Sequence, residues 1–423
     1  MSGASAARRA ALDLLTAVLE RGEMLAEARL AEDLAPAERA RAKRLADTVL
    51  RYLGAIDALL APYLDRPPPT AIRNILRLAA AERMVDRIPA HAVVSSAVDL
   101  AAAQRKRRGY RGLVNAVARK LAQTALADWQ ALCAADPVFP PPLAARLQKA
   151  WGADCLAAMA SLHRKRPPVD LTLKDGDQAA DYAQKLGARC LPGGGLRLDR
   201  AGQISALPGF ATGDWWVQDA AAAIPVRMLG DVAGLRVLDL CAAPGGKTMQ
   251  LAAAGAVVTA LDIAKDRLAR LCENLTRTRL TAQIVLADAL RWQADGLFDI
   301  VLLDAPCSAS GTMRRHPDLM QRPLPSLAPL VALQDALLDR AFDWVRPGGR
   351  LLFATCSLFP QEGEVRLRGF LRRQTRAELL PPQTGAGFDP TWIDQGMLRL
   401  RPDFWPEIGG MDGFFAAMVW RTP

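Results

Sequence analysis

No apolar stretch in the 423-residue sequence reaches the roughly 18 residues of a membrane span. The opening residues, MSGASAARRAALDLL, begin no signal-peptide apolar region, because Asp13 and Glu20 break the apolar run. Cysteine is sparse: seven residues, an odd count at scattered spacings, which argues against a disulfide framework and fits a reducing compartment. No CxxC and no Cys/His cluster at ligand spacing occurs, so no metal site is expected. The dinucleotide pattern GxGxxG is missing too. What remains is the composition of a soluble globular protein, 51% hydrophobic and 23% charged, expected in the cytoplasm as a monomer. Its length suggests two or three domains.

The net charge of +10 is unevenly spread. Residues 1–150 carry 23 basic and 15 acidic side chains, and the rest 31 and 29. Such an excess at one end suits a polyanionic partner, although an ordinary basic helical domain has the same signature. Residues 6–135 read as helical: Leu12, Leu15 and Leu19 recur at three- and four-residue spacing among Ala, Glu and Arg. Asp65-Arg66-Pro67-Pro68-Pro69 breaks the pattern, and helices fit 70–84, 91–104 and 111–125. The basic run Arg105, Lys106, Arg107, Arg108, with Arg111 and Tyr110 beside it, is expected to grip RNA phosphates while the tyrosine stacks on a base.

Phe139-Pro140-Pro141-Pro142 reads as a linker, and residues 143–210 as a small α/β module. There, Val169–Leu173 alternates like a strand, 176–187 is helix-like and Gly193-Gly194-Gly195 is a turn. From about 211 the pattern becomes strand–helix alternation. Strands are expected at Arg236–Cys241, Val257–Ile263, Ala282–Asp288, Phe298–Ala305 and Arg350–Ser357. Short apolar runs alternating with helices predict a mainly parallel, doubly wound sheet. Ligands in such folds sit beyond the carboxyl ends of the strands, where the chemically loaded residues fall.

The first strand ends Asp239-Leu240-Cys241, followed by Ala242-Ala243-Pro244-Gly245-Gly246-Lys247-Thr248. Small residues let a ligand approach the backbone, and the next helix offers free N–H groups. Gly246-Lys247-Thr248 matches the end of a P-loop, and Val301-Leu302-Leu303-Asp304 imitates an NTPase strand. Cys241, however, stands where the P-loop glycine belongs. Asp262 and Asp288, ending the next two strands, are placed to meet the ribose and base of a nucleoside. The last two strands end in Asp304-Ala305-Pro306-Cys307-Ser308 and Ala354-Thr355-Cys356-Ser357. A lone cysteine is usually inert packing, as expected for Cys133, Cys155, Cys190 and Cys272. Two at neighbouring strand ends, one next to a carboxylate, point to covalent chemistry. Carbon 5 of cytosine needs such help, because a thiolate added at carbon 6 makes it nucleophilic enough to take a methyl group.

DLCAAPGGKT, DAPCSASGTMRRHPD and ATCSLFPQEGE resemble the signature motifs of the NOL1/NOP2/Sun family of RNA cytosine-5 methyltransferases. Gly213–Asp219 and Asp412-Gly413-Phe414-Phe415 fit as well. Pro89–Val94 and Gly112–Val117 resemble the NusB-like RNA-binding domain of the family's bacterial Sun/Fmu branch, so nearly the whole chain is covered. The resemblance implies a NusB-like all-α domain at 1–138, the small α/β module at 143–210 and a Rossmann-like methyltransferase domain at 211–423. It implies S-adenosyl-L-methionine as cofactor and 16S ribosomal RNA as substrate. Cys356 would be the nucleophile and Cys307 would assist release. Asp304 would meet the cytosine ring near N3, with Lys247 close by. Cys241, Ala242, Ala243, Pro244, Gly245, Gly246, Lys247, Asp262, Arg267, Asp288, Ala289 and Asp304 would surround the cofactor. Arg314 and Arg315 would place the RNA strand. Family members often have Glu-Asn-Glu where this chain has Glu362-Gly363-Glu364, which puts a local capping contact in doubt. Transfer RNA as substrate, a non-catalytic RNA-binding assembly factor and an NTPase are the alternatives.

Overall fold

The computed structural model describes residues 3–382 and 387–423, which fold as two compact units. The first comprises Met1–Gln148, Leu156–Lys165 and His316–Leu324; the second comprises Lys149–Cys155, Arg166–Arg315 and Pro325–Pro423. Among the described residues, no helix is long and apolar enough to cross a membrane.

The first unit is helical. Its helices are α1 (Gly3–Arg21), α2 (Pro36–Arg51), α3 (Leu53–Leu60), α4 (Thr70–Met84), α5 (Ala90–Ala102), α6 (Arg111–Gln123) and α7 (Leu126–Ala135). Proline sets several starts: Pro36 occupies the first turn of α2, and Pro69 and Pro89 directly precede α4 and α5. Leu12 and Leu15 of α1 are buried and Leu19 packs against the same core. α4 buries residues all round, from Ile72 to Met84, as a central helix must. Charge inside the bundle is paired: Arg8 Nε lies 2.8 Å from Glu82 Oε1. The basic loop before α6 is exposed at Arg105, Lys106, Arg108 and Tyr110, while Arg107 is half-buried.

The proline run expected as a linker starts a helix instead. Phe139 is buried, and Pro141 opens α8 (Pro141–Trp151), followed by α9 (Ala153–Arg164). A proline in the first turn forfeits no intrahelical hydrogen bond, so the run gave a misleading breaker signal.

The second unit contains two sheets. The smaller is antiparallel, with strands β1 (Val169–Leu173), β2 (Arg189–Cys190), β3 (Leu196–Leu198) and β4 (Trp215–Val217) in the order β2-β3-β1-β4, beside α10 (Ala179–Leu186). After α11 (Ala220–Arg227) comes the larger sheet: β5 (Arg236–Leu240), α12 (Gly246–Ala253), β6 (Val257–Asp262), α13 (Lys265–Thr278), β7 (Gln283–Leu286), β8 (Phe298–Asp304), α14 (Leu327–Asp343), β9 (Val345–Thr355), α15 (Glu364–Arg373), β10 (Ala377–Leu380), β11 (Ile393–Asp394), β12 (Met397–Leu400) and β13 (Phe414–Arg421). Its order is β11-β12-β13-β9-β8-β5-β6-β7, with β10 also paired to β13.

The five strands from β7 to β9 are parallel, as the sequence predicts, whereas β10 to β13 add antiparallel pairings at one side. Along β8 the burial alternates between two cores. Val301 and Leu303 pack with Leu338 and Phe342 of α14, and Ile300 and Leu302 pack with Ile224 of α11. Burial on both faces is why these strands read as unbroken apolar runs. The chain runs outward from β5 through β6 and β7, then returns to β8 and β9 on the other side. The carboxyl ends of β5 and β8 therefore flank the crevice where the strand order reverses.

Candidate active site

The loop after β5 turns sharply at Cys241, whose φ of 59° is left-handed, and passes through a cis Ala243–Pro244 bond into α12. Lys247, in the first turn of α12, is 8% exposed and its Nζ lies 2.7 Å from Oδ2 of Asp304, the last residue of β8. The ammonium also sits 4.7 Å from the centre of the Phe414 ring, an orientation that favours a cation. This pair borders a cleft of about 470 Å³, within the range of small-molecule sites. Below it Asp239 is fully buried. Burial pushes its carboxyl up to about 7, despite the 2.6 Å hydrogen bond donated by Thr248 Oγ1. Burial also pushes Cys241 up to about 12, helped by the carboxylates of Asp262, Asp304 and Asp239, which leaves it a poor nucleophile.

The other two cysteines meet. Cys307 follows β8 and Cys356 follows β9, and the parallel register Asp304↔Ala354 brings their sulfurs to 3.4 Å. Their loops are laced together through the backbone: Gly311 N donates to Cys356 O at 2.9 Å, and Gly413 N donates to Gly311 O at 2.8 Å. A Cβ on Gly311 would collide with Gly413 O, so only glycine permits this approach. Glu362, completely buried, accepts from Ser308 N (2.9 Å), Ser308 Oγ (2.5 Å), Ser357 Oγ (2.6 Å) and Gln334 Nε2 (3.1 Å). One carboxylate thus holds the residues that directly follow both cysteines. The hydrogen bond with Cys356 raises the Cys307 thiol well above its ordinary value, and burial and the Cys356 and Glu362 charges add to the effect. The two sulfurs lie within hydrogen-bonding distance, and either thiol can be the donor.

Several sequence-predicted residues line the cleft: Cys241, Ala242, Ala243, Pro244, Gly246, Lys247, Arg267, Asp304, Arg315 and Cys356. Gly245 braces the turn, donating from its N–H to Ala242 O. Asp262 is 2% exposed and props the loop from behind, accepting from Ala243 N (3.1 Å) and Ala264 N (2.9 Å). Arg267 reaches both Asp262 and the carbonyl of Ala243. Asp288 caps its own turn through Leu290 N at 2.9 Å, and Ala289 packs into the core; neither lines the cleft.

Arg314 requires a correction. It is wholly buried, with Nη2 2.6 Å from Asp219 Oδ2 and hydrogen bonds to the carbonyls of Gly409 and Met411. With no surface to offer an RNA strand, it ties the loop after Cys307 to the carboxyl-terminal segment. Arg315 is partly exposed on the cleft and pairs with Asp412 at 2.5 Å. Burial pushes Asp412 up to about 6, whereas at Asp219 the charges of Arg314 and Arg315 outweigh burial and hold the carboxyl below its ordinary value.

Sequence reasoning missed Glu362, although it stands in the ATCSLFPQEGE motif, and it missed Phe210, Asn274 and Arg277 at the cleft. The last three carry no local signal. Arg277 is brought in by α13, whose Leu268, Leu271 and Leu275 bury one face, and it stacks 4.3 Å from the Phe210 ring centre.

A family model described as 16S rRNA methyltransferase RsmB/F matches residues 226–420, and one described as NusB family matches residues 5–123. Proteins named Ribosomal RNA small subunit methyltransferase B from Erwinia tasmaniensis and Xanthomonas campestris pv. campestris are each 34% identical to the chain. The first alignment covers 88% of both proteins, and the second covers 99% of this chain and 97% of the relative. The chain belongs to the RsmB/F methyltransferase family. Its helical region is a NusB-type domain and its larger sheet a Rossmann-like methyltransferase domain. A solved structure of PH0851 shares the fold over 99% of both chains, with a TM-score of 0.77 at 22% identity. A methyltransferase homolog protein from Pyrococcus horikoshii matches 66% of this chain and 93% of its own, at 27% identity and a TM-score of 0.55.

The cofactor of this family is S-adenosyl-L-methionine, and the site fits it. The turn from Cys241 to Gly246 offers small side chains at the cleft wall, and the buried Asp239 Oδ1 beneath has no hydrogen-bond partner in the structure.

Proposed function

We propose that the protein methylates carbon 5 of a cytidine in 16S ribosomal RNA through a covalent adduct between Cys356 and the base. One observation carries this reading: Cys356 lines the same cleft as the Lys247–Asp304 pair at 2.7 Å, and its sulfur lies 3.4 Å from that of Cys307. The small-subunit names of the relatives support the choice of RNA.

S-adenosylmethionine supplies an electrophilic methyl group. The Cys356 thiolate adds to carbon 6 of the ring, forming an S–C bond and moving the electron pair of the C5–C6 bond toward carbon 5. A proton carried in the Lys247–Asp304 pair meets the charge that develops at N3. Carbon 5 would then take the methyl group as its bond to the sulfonium sulfur breaks, leaving the cofactor as a neutral thioether. Loss of its proton to a base re-forms the double bond and expels the Cys356 thiolate, and the Cys307 S–H donates to that departing sulfur. Arg267 and the 241–247 turn hold the cofactor, with Asp262 fixing the turn. A cytidine within a helix must leave the stack to reach the cleft. The exposed Arg105, Lys106 and Arg108, with half-buried Arg107, grip RNA phosphates, and Arg315 steers the strand at the cleft.

Cys356→Ala is expected to abolish transfer of labelled methyl to RNA, while Cys307→Ala accumulates an RNA–protein adduct stable to denaturing electrophoresis. Full activity in Cys356→Ala refutes the mechanism. Bisulfite sequencing of ribosomal and transfer RNA from a deletion strain names the substrate: a site lost from transfer RNA alone would overturn the 16S assignment.

A further inference from the structure

The departure from the family pattern at Gly363 has a packing cause. A Cβ there would lie 2.7 Å from both Arg399 Nη2 and Phe415 Cγ, closer than real Cβ atoms come. The strand register explains the crowding. Arg399 of β12 pairs with Phe415 of β13, and Phe415 pairs with Thr355 of β9, the residue before Cys356. The Arg399 guanidinium, on a residue only 6% exposed, lies 5.0 Å from the Phe415 ring centre and 5.4 Å from that of Trp151. Nε and Nη2 form a fork to the two Glu364 oxygens at 2.9 and 2.6 Å. Nη1 donates to Ser357 O at 2.5 Å, and Trp151 Nε1 donates to Leu358 O at 2.9 Å.

Glu362, Gly363 and Glu364 are thus three consecutive residues with linked tasks. The first holds the side chains of Ser308 and Ser357, the second leaves room, and the third aims Arg399 at the carbonyl directly after Cys356. Resting on the methyltransferase reading above, we propose that Arg399 is a positioning residue for the Cys356 nucleophile and that Gly363 is the space it requires. A guanidinium suits the task because three of its N–H groups point to three separate oxygens in one plane, a geometry no lysine reproduces. Charge alone is not what the position needs.

The test uses the full-length chain and kinetics with saturating S-adenosylmethionine. A nucleophile displaced by about 1 Å loses on the order of 100-fold in rate. Arg399→Met is therefore expected to lower kcat by about that factor, with KM for RNA and affinity for S-adenosylmethionine held within about threefold. Arg399→Lys is expected to lose nearly as much. Gly363→Ala, which leaves Arg399 in place but pushes on it, should give the same kcat-only loss and serves if Arg399→Met does not fold. A second readout does not need RNA. The rate of Cys356 alkylation by iodoacetamide, resolved by mass spectrometry, should change several-fold in Arg399→Met, with exposed Cys272 as the unchanged reference. A folded Arg399→Met with kcat and Cys356 alkylation both at wild-type levels overturns the proposal, as does full rescue by lysine. A wild-type protein that methylates no RNA would fail the functional reading instead, and alkylation would still decide the role of Arg399.

Discussion

Asp239 offers a test that depends on neither RNA nor turnover. Its carboxyl is completely buried at the end of β5, takes one hydrogen bond from Thr248 and sits near 7 instead of 3.8. In the unfolded chain it ionises at its ordinary value. Between about pH 4 and pH 7 the folded protein therefore holds a proton that the unfolded chain has released. Stability from this group is fully present below pH 4 and is lost as pH rises to 7. A gap of about three units at 1.36 kcal/mol each bounds the loss at about 4 kcal/mol. Asp239→Asn removes the titration while keeping an acceptor for Thr248. The assay is urea unfolding of wild type and variant at half-unit steps from pH 4 to 8, taking the difference so that groups common to both cancel. The variant should gain on the wild type by up to about 1.4 kcal/mol per pH unit across this window and level off above it. A difference that stays flat with pH would show that Asp239 is ionised throughout, and burial would then not be the dominant influence on it.

The remaining predictions concern the cysteine loops and the RNA. Glu362→Gln keeps the shape but turns an acceptor for four donors into a group that is itself half donor. It should cost roughly 2–4 kcal/mol in denaturant unfolding and slow methyl transfer by more than tenfold, measured with labelled cofactor; unchanged kinetics would separate Glu362 from the cysteines. Replacing Arg105, Lys106 and Arg108 together by alanine should weaken RNA binding and reduce the slope of log affinity against log salt by about 2–3, read by filter binding across a salt series. A slope equal to that of the wild type would move the RNA contact elsewhere.

Much of the fold was legible because it is locally encoded. The expected helix over 70–84 and the expected strand Val169–Leu173 match α4 and β1 residue for residue, and the five parallel strands stood out as apolar runs. β9 begins five residues before the expected Arg350, since Val345 pairs with Phe298 across an irregular register. The antiparallel strands β10 to β13 were not anticipated; β11 is two residues long, and β10 and β12 are four each, too short for a periodic signal. Arg314 misled for a different reason. Charged residues are rarely buried, so an Arg-Arg pair reads as a surface feature. The partner that permits burial, Asp219, lies 95 residues earlier, a separation no local pattern spans. Glu362 failed likewise: its task depends on Ser308, 54 residues away.

The same long-range contacts bear on how two cysteines with similar motifs take different parts. Sequence context alone assigns attack to Cys356 and release to Cys307 by inheritance from the family. The site adds a physical asymmetry. Glu362 contributes negative charge against Cys307, whose thiol the contact with Cys356 and burial also raise. With the Cys307 thiol raised and its sulfur 3.4 Å from that of Cys356, an S–H on Cys307 is placed to face the proposed Cys356 thiolate. The proposed mechanism has the proton on Cys307 before the base arrives. Glu362, Gly311 and Arg399 hold both loops to one framework, so the proposed departure of Cys356 uses the same contact. Under that proposal attack and departure use one arrangement of sulfur, proton and sulfur, and removing the donor should burden departure most, since that is the step in which negative charge returns to Cys356.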